Sequence, residues 1–593
     1  MDNHSEFFFT SPLAVHYPSS VTQLTPHLLV EQEGNDSEES INDKYDGDKY
    51  YESNAGDGTN AFDHHVTGLP LYMTLVACFM SLFLAALDMT IIVTIFATVG
   101  NKFNSFGKIE WLTSGFLLPM CVLTPSYGKI SIVFGRKNSL MVGIFIFEIG
   151  SLVAALSNSM DMLIGGRVIQ GLGGGCIQTV VSIILTESVP LNFRSYSLSL
   201  MAVAYTIASV LGPFIGGAFT SHVSWRWCFY LNLPLGGVSF IILFFFFNPP
   251  KPKGKLLKNI QKIDFLGNFL LITGLVLVLL GLTLGGTTYG WDEAGVLLPI
   301  IIGGFMLISF AVWNFQGSKN PIFFKEFFMV PQIFFGATSG FFNYCFFLGN
   351  ITYLTVYFQV IFSRSPFESG VDLLPFIVSI SISAIINGIL IKTTRYLKPY
   401  FIISGIFGVV GSGLLLLLDR DTPTSKRIGY LIVLGVSVGF QIQTAILSCQ
   451  VMAPKTLDSS LILVTTFSNF MRFLGGTLGT ILATLAFSVT GTNSIRKIIE
   501  DLPYKEKNQF YGINAAQILS SPELINNLPK ETKEQIMDKI MEAIHSTFLF
   551  GLGCSCAALV CCIFATNKRI PRDEEMLTRE EAKIPSRKLK IEA

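Results

Sequence analysis

LYMTLVACFMSLFLAALDMTIIVT, residues 71–94, holds one ionisable side chain, Asp88, in an otherwise uncharged run. The hydrocarbon core of a bilayer is about 30 Å thick, and about 20 apolar residues cross it as a helix at about 1.5 Å each. The stretch therefore predicts a transmembrane helix. Thirteen further runs read the same way, near 111–127, 139–157, 162–184, 197–219, 228–248, 265–285, 296–314, 332–356, 370–391, 400–418, 428–450, 461–488 and 546–566. The fold class is an all-α polytopic membrane protein of fourteen spans.

The 593-residue composition agrees, with 50% apolar and 14% charged residues, against about 25% charged in soluble domains. The formal charge is zero, from 41 basic and 41 acidic residues. Residues 1–68, 491–545 and 567–593 carry 44 of these 82 charges. The first, with 13 acidic and 2 basic side chains, is also rich in Ser, Asp and Gly and reads as a disordered acidic tail rather than a signal peptide. No nucleic-acid partner is expected.

An even span count places both termini on one side. With them inside, the short inner loops collect fifteen Lys and Arg, among them Lys129, Arg136, Lys137, Lys251 and Lys455, against seven outside. Both tails are therefore expected to be cytosolic. Residues 491–545 then form an outer loop, whose amphipathic stretch Glu531–Ala543 suggests a surface helix. All ten cysteines lie in apolar segments and read as reduced packing residues, with no metal-ligand spacing. No phosphate-binding GxxxxGK[ST] loop occurs, so no cofactor is expected and transport would draw on an ion gradient.

Four charged side chains fall well inside spans: Asp88, Glu148, Arg167 and Arg472. Each is costly in lipid unless it faces a cavity or a partner, so each is a functional candidate. Asp88 lies near the outer end of the first span and Arg167 near the outer start of the fourth, a depth at which they could meet. Glu148 lies mid-membrane, where burial favours the neutral carboxyl and an approaching cation the ionised one, as a proton carrier needs. Arg472 reads more simply, as a structural tie to helix carbonyls. Gly171–Gly175 reads as a surface for close helix approach.

Several segments together resemble the major facilitator superfamily. The loop Gly128-Lys-Ile-Ser-Ile-Val-Phe-Gly135-Arg136-Lys137 is similar to its GxLaDRxGRK element, with Ile132 and Val133 where that pattern has Asp and Arg. Arg167-Val-Ile-Gln170-Gly171-Leu-Gly173-Gly174-Gly175 resembles its RxxQGxGxG element, and Gly212-Pro213-Phe-Ile-Gly216-Gly217 its antiporter signature. Leu87-Asp88-Met-Thr-Ile-Ile-Val93 and Trp225-Arg-Trp227-Cys-Phe-Tyr-Leu-Asn232-Leu-Pro234 look like elements of its 14-span drug:H+ antiporters. The general texture is similar to fungal members, especially yeast azole-resistance and vacuolar basic amino acid transporters.

The resemblance implies two six-helix halves, 69–250 and 332–566, joined by a basic loop at 251–264 and two inserted spans at 265–314, with a C-terminal tail at 567–593. A faint echo of the Gly128–Arg136 loop recurs at Gly388–Arg395. By resemblance, Asp88 and Arg167 take part in proton coupling. Gly128, Gly135, Arg136 and Lys137 form a tight gating turn, and Gly212, Pro213, Gly216 and Gly217 a bend that disfavours leakage. Trp225 and Trp227 read as interface anchors.

The expected function is that of a secondary transporter, not an enzyme. It is a proton-coupled antiporter, acting as a monomer, that moves small cationic or amphipathic compounds out of the cytosol, with the plasma membrane favoured. Vacuolar import of Lys, Arg or His by proton exchange is the alternative. A non-transporting sensor is disfavoured, because a scaffold gains nothing from intramembrane charge. Asp88 and Glu148 favour cations. Polar candidates for the substrate cavity are Gln170, Gln178, Tyr205, Asn343, Asn350, Gln359, Asn387, Gln441, Gln443 and Asn469.

Overall fold

The computed structural model describes residues 55–571 apart from 104, 106, 107, 110, 286–288, 456 and 502–529. The acidic stretch before residue 55, the middle of the 491–545 loop and the tail beyond 571 lie outside the described residues. Fourteen helices among the described residues are long and apolar enough to cross a membrane, as the sequence predicts. We number them α1 (Leu69–Phe103), α2 (Trp111–Phe134), α3 (Arg136–Ala155), α4 (Met160–Glu187), α5 (Arg194–His222), α6 (Asn232–Phe246), α7 (Phe265–Leu284), α8 (Ala294–Val312), α9 (Pro331–Val356), α10 (Leu374–Thr394), α11 (Lys398–Leu415), α12 (Thr424–Val451), α13 (Ser460–Asp501) and α14 (Lys530–Phe564). In lipid a helix satisfies its own backbone hydrogen bonds, which is why apolar runs take this form.

α1–α6 pack into one six-helix half and α9–α14 into the other, while α7 and α8 pack on each other beside them. Dispersion and shape, rather than the hydrophobic effect, hold helices together in lipid, so small residues mark their closest approaches. On α4, Gly173 lies against the Phe147 backbone of α3, and Gly171 and Gly175 lie against Phe116 and Met120 of α2. The glycine run thus seats α4 between α2 and α3. Between α2 and α3 the chain turns on the single residue Gly135, at φ +88°, a conformation that strains any side chain.

The halves meet at both ends of the bundle. At the end carrying the α2–α3 turn, Gly128 lies against Thr466 of α13, and Asn469 of α13 donates to Ser182 of α4 at 2.6 Å. Towards the other end, Pro213 of α5 packs on Gly370 and Phe214 on Phe367, with 4.5 Å between ring centroids.

Two sequence expectations need correction. The stretch Glu531–Ala543 is not a separate surface helix but the start of α14. Its apolar face (Ile536, Met537, Ile540, Ile544) is buried in a cluster with Phe487 and Ile495 of the long α13, so no break in the helix is needed. Nor is the acidic tail without structure through residue 68. Residues 55–68 run beside the α2–α3 turn, where Ala55, Asp57, Thr59 and His64 are buried.

Candidate functional site

Asp88 of α1 sits in a buried cage built from four helices. Arg167 of α4 forms an ion pair with it through Nη1, and its Nε donates to the Leu112 carbonyl at 2.9 Å. Gln170, one turn on, accepts from Arg167 at 2.8 Å and donates to Asp88 at 2.9 Å and to Ser151 of α3 at 2.8 Å. Asn232, at the start of α6, donates to Asp88 and to Ser151 at 3.1 Å each. The cage brings together Asp88, Arg167 and Gln170 from among the expected residues. It adds Ser151 and Asn232, which the sequence reading did not single out for a site, although Asn232 belongs to the Trp225–Pro234 motif. Charge and donors around Asp88 are balanced, which fixes its side chain and leaves it no free valence for a solute.

Glu148 lies one turn before Ser151 on α3. Both its carboxyl oxygens are buried without a hydrogen-bond partner. The space it occupies exists because residue 236 of α6 is glycine: a Cβ there would overlap Oε1. An unpaired carboxylate in a low-dielectric site costs several kcal/mol (about 3 on insertion scales), a cost that protonation removes.

The second half holds a small pocket, about one water molecule in size, lined by Gly340, Asn343, Tyr344, Gln441, Ser468 and Arg472, among others. Of the proposed cavity residues, Asn343 and Gln441 are on this wall. Tyr205 of α5 interacts electrostatically with Tyr344 and Arg472 from the other half.

The remaining candidates do other work. Asn387 donates to the Phe440 carbonyl and to Thr444, Gln443 to Ser199 and the Ala384 carbonyl, and Asn469 to Ser182. Gln359 donates to Ser369 past the end of α9, Asn350 packs on Gly551, and Gln178 contacts Met120. Polar side chains in spans tie helices together as readily as they line a cavity.

Around the α2–α3 turn, Arg136 is buried and donates to Glu187 of α4 at 2.9 and 3.1 Å, to Asp57 at 2.5 Å and to the Ala55 carbonyl at 3.0 Å. Asp57 thus brings a carboxylate to a loop that has Ile132 and Val133 in the positions where the family pattern has Asp and Arg. Lys137 donates to the Phe244 carbonyl at 2.7 Å and to Asn248 at 2.8 Å. At the echo loop, Arg395 holds the other end of the chain, donating to the Pro571 carbonyl and accepting from the Ile570 amide, each at 2.7 Å. Gly212 and Gly216 let α5 approach Thr90 and Thr94 of α1, while Gly217 faces open space. Trp227 is exposed, as an interface anchor should be, but Trp225 is buried, with Lys102 and Arg226 over its ring.

His64 accompanies Asp57 in the docked segment and shares a 2.8 Å hydrogen bond with Thr59. Burial holds its pKa below the ordinary 6.5, outweighing the opposing pull of Glu187 and helped by Arg136. The docked segment therefore binds fewer protons than the undocked one, so docking keeps full strength above about pH 6.5 and weakens as pH falls below it. Protease cleavage within residues 55–68 of the intact protein is expected to be slow and constant above pH 6.5 and to accelerate severalfold by about pH 5. Asp57→Asn should bring the fast rate to neutral pH.

Residues 78–480 match the model of the Major Facilitator Superfamily. The chain is 33% identical over 553 residues to Vacuolar basic amino acid transporter 5 of Saccharomyces cerevisiae, with 86% of this chain and 93% of that protein covered. It is 32% identical over 566 residues to Azole resistance protein 1 of the same yeast, with 85% and 89% covered. It is also 32% identical over 511 residues to Efflux pump dotC of Dothistroma septosporum, with 85% and 86% covered. A solved bacterial homologue of the human lysosomal transporter Spinster, inward-facing and unoccupied, shares the fold with a TM-score of 0.52 at 13% identity, covering 87% of this chain and 100% of its own. The chain belongs to the Major Facilitator Superfamily and is a membrane transporter.

Proposed function

We propose that this transporter exchanges a small organic solute from the cytosol for a proton from the opposite side, and that Glu148 carries the proton. The observation that supports this reading is the unpaired, buried carboxyl of Glu148 beside the locked Asp88 cage. Ionised Glu148 strengthens the hold on a cationic or donor group of the solute. A proton arriving from the trans side neutralises it, the solute leaves, and the neutral carrier returns. Asp88 and Arg167 act in this scheme as the fixed element that orients α1, α4 and α6 around it. The Lys and Arg excess of the inner loops supports cytosolic termini, and a monomer contains every group the scheme uses.

The relatives named for azole resistance and efflux support export of drug-like substrates, for which we favour the plasma membrane. The relative named as a vacuolar basic amino acid transporter supports a second reading, import of Lys, Arg or His into the vacuole. Both move the solute from cytosol to trans side against protons, and a fluorescently tagged protein seen at one membrane or the other separates them.

In proteoliposomes with an imposed pH gradient, Glu148→Gln is expected to lower gradient-driven uptake of the transported compound at least tenfold while leaving gradient-free counterflow of that compound. Undiminished pH-driven flux in Glu148→Gln would remove Glu148 from the coupling step.

A further inference from the structure

Arg472 lies about a third of the way along α13, 6% exposed, with the rings of Tyr344 and Phe473 at 4.9 and 5.0 Å. Among the described residues it makes neither the expected tie to helix carbonyls nor a pair with a carboxylate, and its Nε is buried without a hydrogen-bond partner. The contrast with Arg167, paired with Asp88, and with Arg136, held between Glu187 and Asp57, is direct. A guanidinium with no anionic partner at this depth is costly, and beside the two rings it borders the small pocket. On the same wall, Asn343 Oδ1 and Gln441 Oε1 are buried acceptors with no donor.

We infer that the Arg472 pocket, once the two halves part, is a binding site for a carboxylate with hydrogen-bond donors beside it, as in an α-amino or α-hydroxy acid. Guanidinium presents a planar fork matched to a carboxylate, and the two amide oxygens await donors on the adjoining carbon. The inference rests on the reading of the chain as a carrier of small organic solutes, and it changes the expected charge preference. Asp88 is paired with Arg167, so the unpaired charge lining this pocket is positive and selects solutes that carry an anionic group.

The test uses detergent-purified full-length protein at one pH, with no gradient. L-lysine and mandelate are the probes, and cadaverine and benzyl alcohol are the same skeletons without the carboxylate. At least one acid is expected to raise the melting temperature saturably while its counterpart does not. Arg472→Met is expected to melt no lower than the unliganded wild type, because it removes an uncompensated charge, and to raise the half-saturating concentration of the acid about thirtyfold or more. Asn343→Leu should raise it about tenfold. The inference is overturned if neither acid shifts the wild type, if the counterparts shift it equally, if Arg472→Met keeps the affinity, or if Arg472→Met melts well below the wild type. Because binding is read without proton movement, failure here leaves exchange through Glu148 standing, and loss of coupling in Glu148→Gln leaves this site standing.

Discussion

Arg167→Ala is expected to destabilise the folded transporter by about 3–5 kcal/mol, the range for stranding one partner of a buried ion pair. The substitution leaves the Asp88 carboxyl fully buried, with Gln170 and Asn232 as donors but no cation beside it. It also frees the Leu112 carbonyl at the start of α2, which Arg167 Nε now satisfies. The same guanidinium lies over the Phe116 ring at 4.6 Å, so three helices lose a contact together. Fluorescence-detected size-exclusion after heating should show the variant aggregating well below the wild type. The double variant Asp88→Asn with Arg167→Gln removes both charges and is expected to recover more than half of the loss, since the two changes share one interaction and do not add. A single variant as stable as the wild type would mean that the cage contributes nothing to the fold.

The second large effect is steric. A Cβ on Gly173 would lie 2.4 Å from the Phe147 amide nitrogen and 2.6 Å from the Gly143 carbonyl oxygen, both backbone atoms of α3. Gly173→Leu therefore forces α3 and α4 apart along their whole contact, and about 3 kcal/mol, the upper end of ordinary overpacking costs, is expected. Gly165, on the same helix, has open space where its Cβ would point, with no atom within 4 Å. Gly165→Leu should be neutral or stabilising by up to about 1 kcal/mol, through helix propensity alone. The two leucines differ only in the face they occupy, so equal melting temperatures would remove close α3–α4 packing from the account of this fold.

The fourteen spans were legible because lipid imposes one rule, internal satisfaction of the backbone, that a charge-free run of about 20 residues reveals without reference to any neighbour. The glycine run was legible as a packing surface for a similar reason. The partners of the buried polar groups were not. Asn232 and Ser151 complete the cage of Asp88 from 144 and 63 positions away, and their residue types are common in helices that pack without any site. Glutamine and asparagine looked alike along the chain, yet Asn343 and Gln441 line the cavity while Asn387 and Gln443 tie helices.

By itself, the sequence determined that the chain crosses the membrane fourteen times and carries four charged groups well within the spans, because both follow from composition over short windows. The tertiary structure decided which of those groups are paired. Asp88 with Arg167 is closed, Glu148 and Arg472 are open, and Asp57 from the acidic tail joins Arg136. The physical reason is that the cost of a buried charge depends on what lies within a few ångströms of it, and that distance is set by how helices far apart in the chain come to pack.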